Sequence, residues 1–292
     1  MEQALLQIVL WTPLVAALIV ALGGPCRAVA VWSGIIQAAL TLTLVTQLPA
    51  GGGFAYVSSF TAMELQEFFT INFTIGLDGI NGPLLLLTTL VALAAAGVVP
   101  VSVQRPREFH VLLLLIIFGA TGAFVSLDLF FIYIFHEVAL IPTFLMLGIW
   151  GSRDRKFAAT QMTLYLTAGS LVLLAGLLCF YFAFPPAYRS LDLREIQASM
   201  EILGAMDTHY QAGVFALLLV GFGVLVSLFP FHSWAPLGYA SAPAPVAMLH
   251  AGVLKKFGIY GLLRLATPYL PEGVIQWGLV LQVLLLANIL YI

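Results

Sequence analysis

Apolar runs of about twenty residues recur along this chain, and their length decides which solvent it can fold in, because crossing roughly 30 Å of hydrocarbon as a helix takes about that many residues. Nine can be read: 4–23, 28–47, 80–102, 109–127, 129–150, 158–183, 213–231, 245–266 and 273–292. Composition agrees. Only 8% of the 292 residues are charged and 62% are hydrophobic, whereas a soluble domain carries about 25% charge. Mean hydropathy is +1.06. No polar surface could cover such a chain in water, so the expected fold is all-α and polytopic, with about nine transmembrane helices. The run from Ala4 to Gly23 is long and has an acidic flank at Glu2, which reads as a retained span and not a cleaved signal.

Short polar connectors separate most runs, and two are longer. Residues 48–79 contain PAGGG and then MELQEFF, which reads as a short interfacial helix. Residues 184–212 contain SLDLREIQASMEILGAM, where Ser190 is expected to cap an amphipathic surface helix. The partition expected is 1–79, a transmembrane hairpin with an external loop, and 80–292, a membrane domain. Basic residues set an orientation. Arg27, Arg105, Arg107, Arg153, Arg155 and Lys156 fall after the first, third and fifth spans, against Arg189 and Arg194 on the opposite side. That bias puts the first set in the cytoplasm and the N-terminus outside. Cys26 and Cys179 lie far apart and read as ordinary membrane residues. The chain stops inside its ninth apolar run, at LLLANILYI, so either a fragment or a last helix that ends flush with the interface is expected.

Few ionisable groups lie deep in the spans: His136, Glu137, His250, Lys255 and Lys256, with Arg264 nearer an end. A charge at mid-bilayer costs about 2.5–3.5 kcal/mol on insertion scales, so such groups face protein or a hydrated cavity. Glu137 sits halfway along FIYIFHEVALIPTFLM, and Pro142 removes the amide that would bond the carbonyl of Val138. A freed carbonyl beside a buried carboxyl suits a site that holds water. The plainer reading is a protonated Glu137 making one interhelical hydrogen bond, and the mid-span position favours function over it. His136 is expected to point away from Glu137 and to be structural.

Lys255 and Lys256 point about 100° apart around their helix. Lys256, nearer mid-span, is expected to face the interior with Gly252 and Tyr260, and Lys255 to share a face with Ala251 and Ile259. A lysine whose proton affinity falls on burial and rises beside a carboxylate is the chemistry of a relay. SLFPFHSWAPLGYASAPAPVAMLHAG carries Pro230, Pro236, Pro243 and Pro245, which forbid one continuous helix. Broken backbone at membrane depth is accepted where it lines a cavity, and His232 and His250 flank this break. The plainer reading of each histidine is a hydrogen bond to a freed carbonyl. Neither metal-ligand spacing nor a nucleotide loop, CxxC or haem motif is present, so no cofactor and no metal are expected.

FHEVALIPTFLMLGIWG, KFAATQMTLYLTAGSLVLL and FPFHSWAPLGYASAPAPVAMLHAGVLKKFGIYGLLR, with FTIGLDGINGPLLLL ahead of them, resemble the antiporter-like proton-translocating subunits of respiratory complex I. The likeness runs from about residue 70 onward. It implies a fold of about fourteen helices built from two inverted repeats with broken helices at their centres. It implies that Glu137 is the key carboxylate of the fifth helix and Lys256 the central lysine of the eighth. Lys255 falls where the family has an apolar residue, and Leu225 where it has a lysine.

The function so implied is proton translocation coupled to NADH:quinone chemistry in other subunits. Glu137 would accept the proton and Lys256 relay it, with Lys255, His232 and His250 on the path. Expected partners are other membrane subunits, the bilayer, protons and internal water, with no nucleic acid, in a bacterial-type inner membrane. A sodium/proton antiporter or membrane-bound hydrogenase complex, or a truncated scaffold that moves no protons, stays open.

Overall fold

A computed structural model describes residues 2–49, 51–65, 69–204 and 206–291. Eight of the described helices are long and apolar enough to cross a membrane, and Asn81–Gly97 is a shorter apolar helix. The nine runs read from the sequence therefore each give a helix; the third ends at Gly97, before the turns of residues 98–104.

By contact density the chain divides into two units, Met1–Ala159 with Gly238–Leu254, and Thr160–Leu237 with Lys255–Ile292. These borders do not fall at residue 79. The first unit holds α1 (Glu2–Ala21), α2 (Cys26–Thr46), β1 (Ala55–Leu65), β2 (Phe69–Leu77), α3 (Asn81–Gly97), α4 (Pro106–Val125) and α5 (Leu129–Trp150). α4 is its axis, with nearly every side chain from Phe109 to Val125 buried. It meets α5 at very close range. A Cβ on Gly119 would lie 2.6 Å from the Ala139 amide nitrogen, and one on Gly122 2.3 Å from the Phe135 ring. Small residues let backbones approach where lipid provides no hydrophobic drive for helix association.

β1 and β2 pair antiparallel, with Phe60 opposite Phe73 and Thr61 opposite Asn72. The fold is helical and polytopic as expected, and this hairpin corrects only the interfacial helix: Met63–Leu65 lies in β1, and 66–68 fall outside the described residues. Packing outweighed local helix propensity. Ile71, Phe73, Ile75 and Leu77 recur at period two and are all buried. The Phe73 ring lies 4.6 Å from Phe131 and 6.4 Å from Trp11, pinning the hairpin to α5 and α1.

One side chain ties the end of β2 to α3 and α4. Asn81 is fully buried, donates through Nδ2 to the carbonyls of Gly76 and Phe124 at 3.0 Å each, and accepts the Asp78 amide at 2.7 Å. Asp128 caps α5 by accepting the amides of Phe130 and Phe131.

The second unit takes in most of α6 (Arg155–Phe182), the surface helix α7 (Leu193–Leu203) and α8 (Thr208–Val226). The cap of α7 is Asp192 and not Ser190: its carboxylate accepts the Arg194 amide and also pairs with the Arg194 guanidinium. That hydrogen bond holds the guanidinium above its ordinary pKa. Ser190 instead accepts the Asp192 amide and donates to Glu195.

α8 stops at Val226, and the chain re-enters helix at α9 (Trp234–Ser241), so the break expected near Pro230 is present. Beyond it come α10 (Ala244–Leu249), a π turn at His250–Leu254, α11 (Lys255–Gly261), a second π turn at Leu262–Ala266, α12 (Thr267–Tyr269) and α13 (Pro271–Tyr291).

Replacing Asn81 with Ala removes its hydrogen bonds to the Gly76 and Phe124 carbonyls and the Asp78 amide, and each lost bond costs about 0.5–1.5 kcal/mol. Asn81→Ala is expected to lower the thermal denaturation midpoint of the purified membrane complex clearly, and Asn81→Asp to lower it as well, because a carboxylate cannot donate to the carbonyls of Gly76 and Phe124.

Candidate functional site

On α5, Phe135 and Ala139 form the face that packs on α4. Glu137 is two residues from each, roughly 200° around the helix, so it points away from α4. Its side chain is 29% exposed, and its Oε1 lies 3.5 Å from Nδ1 of His136, itself 2% exposed. This corrects the expectation that His136 turns away: the glutamate's flexible side chain reaches back across the angle that separates the two Cβ atoms. The helix runs on through Pro142, and the Thr143 hydroxyl donates to the Ala139 carbonyl at 2.8 Å one turn back.

His250 belongs to the same unit. It opens the first π turn, is buried, and has Nδ1 3.3 Å from the Tyr239 hydroxyl. That turn packs against α3 and α5, with Gly252 set close to Val91 of α3. Sequence reasoning missed Tyr239, for which the only signal was a hydroxyl in a proline-broken segment.

The second unit carries the lysines. α11 packs on α8 through glycines: a Cβ on Gly258 would lie 2.3 Å from Val226 Cγ2 and 2.6 Å from the Phe222 carbonyl, and one on Gly261 2.1 Å from the Phe222 ring. Lys255 is one turn before Gly258, at i−3, and therefore lies on the side of α11 turned toward α8. Lys256 shares its face with the buried Tyr260 and, one turn further, with Arg264, whose guanidinium sits 5.5 Å from the Tyr260 ring centre. Arg264 is only 7% exposed. Residues 256, 260 and 264 thus form a file of cation, phenol and cation at one-turn spacing. The spacing was present in the sequence, but Arg264 looked too near the end of its span to count. Both π turns border α11, and such turns are rare and concentrate at functional sites.

The α8 break is sealed by side chains. Ser227 takes the left-handed conformation at φ 60, and the amides of Ser227 and Leu228 return to the carbonyls of Val224 and Gly223, the Schellman pattern with serine where glycine is usual. The Trp234 indole donates to the Val224 carbonyl at 3.1 Å, and the Phe229 amide donates to Asn288 of α13 at 3.0 Å. His232 stacks on Phe229 at 5.6 Å and meets Tyr291 edge-on at 5.0 Å, while its Nδ1 is buried with no hydrogen-bond partner among the described residues. Leu225 is buried in α8 at 2% exposure. The histidines that flank the break in sequence thus have different settings: His232 in the turn itself, His250 in the π turn of the other unit.

A family model described as NADH:quinone oxidoreductase/Mrp antiporter, TM matches residues 126–292. A protein named NAD(P)H-quinone oxidoreductase chain 4 from Gloeobacter violaceus is 37% identical over 223 residues, 76% of this chain and 41% of the relative. Another so named from a Synechococcus strain is 33% identical over 266 residues, 89% of this chain and 49% of the relative. The chain thus spans a little under half the length of these curated relatives. Among solved structures, a chain of respiratory complex I from Thermus thermophilus with bound NADH superposes with a TM-score of 0.80 at 28% identity, covering 93% of this chain and 55% of that one. A chain of an archaeal membrane-bound sulfane sulfur reductase shares the fold, with a TM-score of 0.72 at 22% identity.

Gly258→Ala and Gly261→Ala are each expected to destabilise the α8–α11 contact by about 1–3 kcal/mol, the range for overpacking. Gly213→Ala, on α8 with open space around it, is expected to be neutral. Thermal unfolding of the three variants in one detergent checks this.

Proposed function

This chain belongs to the NADH:quinone oxidoreductase/Mrp antiporter transmembrane family, and from that premise we propose that it is part of a proton-translocating membrane subunit of a complex I-type enzyme. It is a multi-pass membrane protein with chain 4 relatives. NADH oxidation and quinone reduction take place in other subunits of the assembly. The chain works in a bacterial-type inner membrane with its N-terminus outside, its basic connectors inside, and neighbouring membrane subunits around it.

The observation that carries this reading is the mid-helix Glu137, held at 3.5 Å from a buried His136 in a span otherwise apolar. An uncompensated carboxylate there would cost about 2.5–3.5 kcal/mol, and an imidazole beside it both offsets that cost and offers a second proton-binding atom. Glu137 accepts the proton. Lys256 relays it, backed by Tyr260 and the second cation, Arg264. His250, with Tyr239, and His232, in the α8 turn, can exchange protons with internal water. Lys255 lies on the side of α11 turned toward α8, the helix in which Leu225 stands where the resemblance implies a lysine. A sodium/proton antiporter assembly is the second reading, and the family description names an antiporter beside the oxidoreductase.

In proton pumping by the assembled complex in vesicles, Glu137→Gln and Lys256→Ala are each expected to reduce pumping at least about tenfold, the loss for one general acid–base group being about 10²–10⁴, with Lys255→Ala costing less. Pumping that survives both changes, or equal loss from Lys255→Ala and Lys256→Ala, overturns the assignment. Sodium uptake in place of acidification, lost with the same two residues, selects the second reading.

A further inference from the structure

α1 and α2 leave an apolar groove on their outer side that encloses about 610 Å³. Its walls include Trp11, Val15, Ile19, Ala28, Trp32 and Ile36. All six are exposed among the described residues, Trp32 at 63% and Val15 at 52%. The groove runs from Ile8 to Ile19 on one helix and from Pro25 to Ile36 on the other, so it is about 16 Å deep at 1.5 Å per residue. That is the depth of one leaflet, half of roughly 30 Å of hydrocarbon. Its depth fits a single acyl chain entering from one side.

The side it opens on is the α1–α2 turn, and that end is cationic. The Arg107 guanidinium lies 3.8 Å from where a Cβ would sit on Gly23, in the turn itself, and Arg107 makes no hydrogen bond or ion pair among the described residues. Arg27 turns to the other side of α2, where it donates to the Gly97 carbonyl of α3, and leaves this end of the groove to Arg107. The nearest acidic side chain in sequence, Glu108, is already taken by Arg105. A guanidinium with its donors unspent thus stands at the turn that ends a leaflet-deep apolar slot, on the side the basic connectors mark as cytoplasmic.

We infer that the α1–α2 groove is a binding site for an anionic glycerophospholipid, whose acyl chain fills the groove and whose phosphate is held by Arg107. Guanidinium groups suit phosphate because their planar donors bind it in pairs. A neutral lipid would gain the acyl contacts but not the charge. The site lies outside the residues assigned to proton movement.

The test is photolabelling of the assembled complex in nanodiscs of phosphatidylcholine, doped with a diazirine-tailed phosphatidylglycerol or, in parallel, a diazirine-tailed phosphatidylcholine. Labelled peptides are mapped by mass spectrometry. The phosphatidylglycerol probe is expected to label α1 and α2 groove residues several-fold more than the phosphatidylcholine probe. Arg107→Gln is expected to cut that preference about fivefold, the equivalent of about 1 kcal/mol per basic residue at a membrane surface, and Arg107→Lys to keep most of it. Equal labelling by both probes means ordinary surrounding lipid and overturns the proposal. Absence of lipid label in the groove overturns it too, since a polypeptide or nothing then occupies the slot. The comparison of probes on the unaltered chain decides the matter even if a variant fails to assemble.

Discussion

Hydrocarbon offers no partner to an unpaired peptide group, and each departure from regular helix here is organised around that fact. The α8 break shows it most directly. Pro230 cannot donate an amide, and the helix must end before it. The carbonyls freed at Gly223 and Val224 are taken by the amides of Leu228 and Ser227 and by the Trp234 indole, and the Phe229 amide finds Asn288. Asn81 plays the same part at the end of the hairpin, serving two carbonyls and one amide at once. With the backbone satisfied by side chains, the chain can bend at depth, and bends at depth are where titratable groups can meet water instead of lipid.

The titratable groups follow the same economy. Within the first unit Glu137 is near His136, and His250 near Tyr239. Within the second, Lys256, Tyr260 and Arg264 share a helix face, and His232 is packed between Phe229 and Tyr291 at the break. Each charge or potential charge has a polar or aromatic neighbour, and the two π turns border the lysine pair on both sides.

Much of this was legible in the sequence. Apolar runs of span length gave the helices, because insertion cost leaves little latitude in where charges fall. Pro230 gave the break, because a missing amide is a local covalent fact. The hairpin was hidden: MELQEFF has good helix formers, and only the tertiary packing of Phe73 and its period-two neighbours fixed strand. The α7 cap is Asp192 in place of the expected Ser190, two residues earlier, because either side chain can cap and only the register of the helix start decides between them. The His136–Glu137 approach depends on side-chain torsions, which a helical wheel does not contain. Arg264 was visible at i+8 from Lys256 and was discounted on depth alone. The π turns left no sequence signal that we can identify.

Under the proposed function, Glu137 changes protonation during turnover. Infrared difference spectroscopy of the assembled complex, comparing resting and NADH-reduced states, reads a protonated carboxyl directly through its C=O stretch. A band in that region that changes with turnover and vanishes in Glu137→Gln is the predicted result. A difference spectrum in the carboxyl region that is the same with and without the Glu137 side chain would contradict the account.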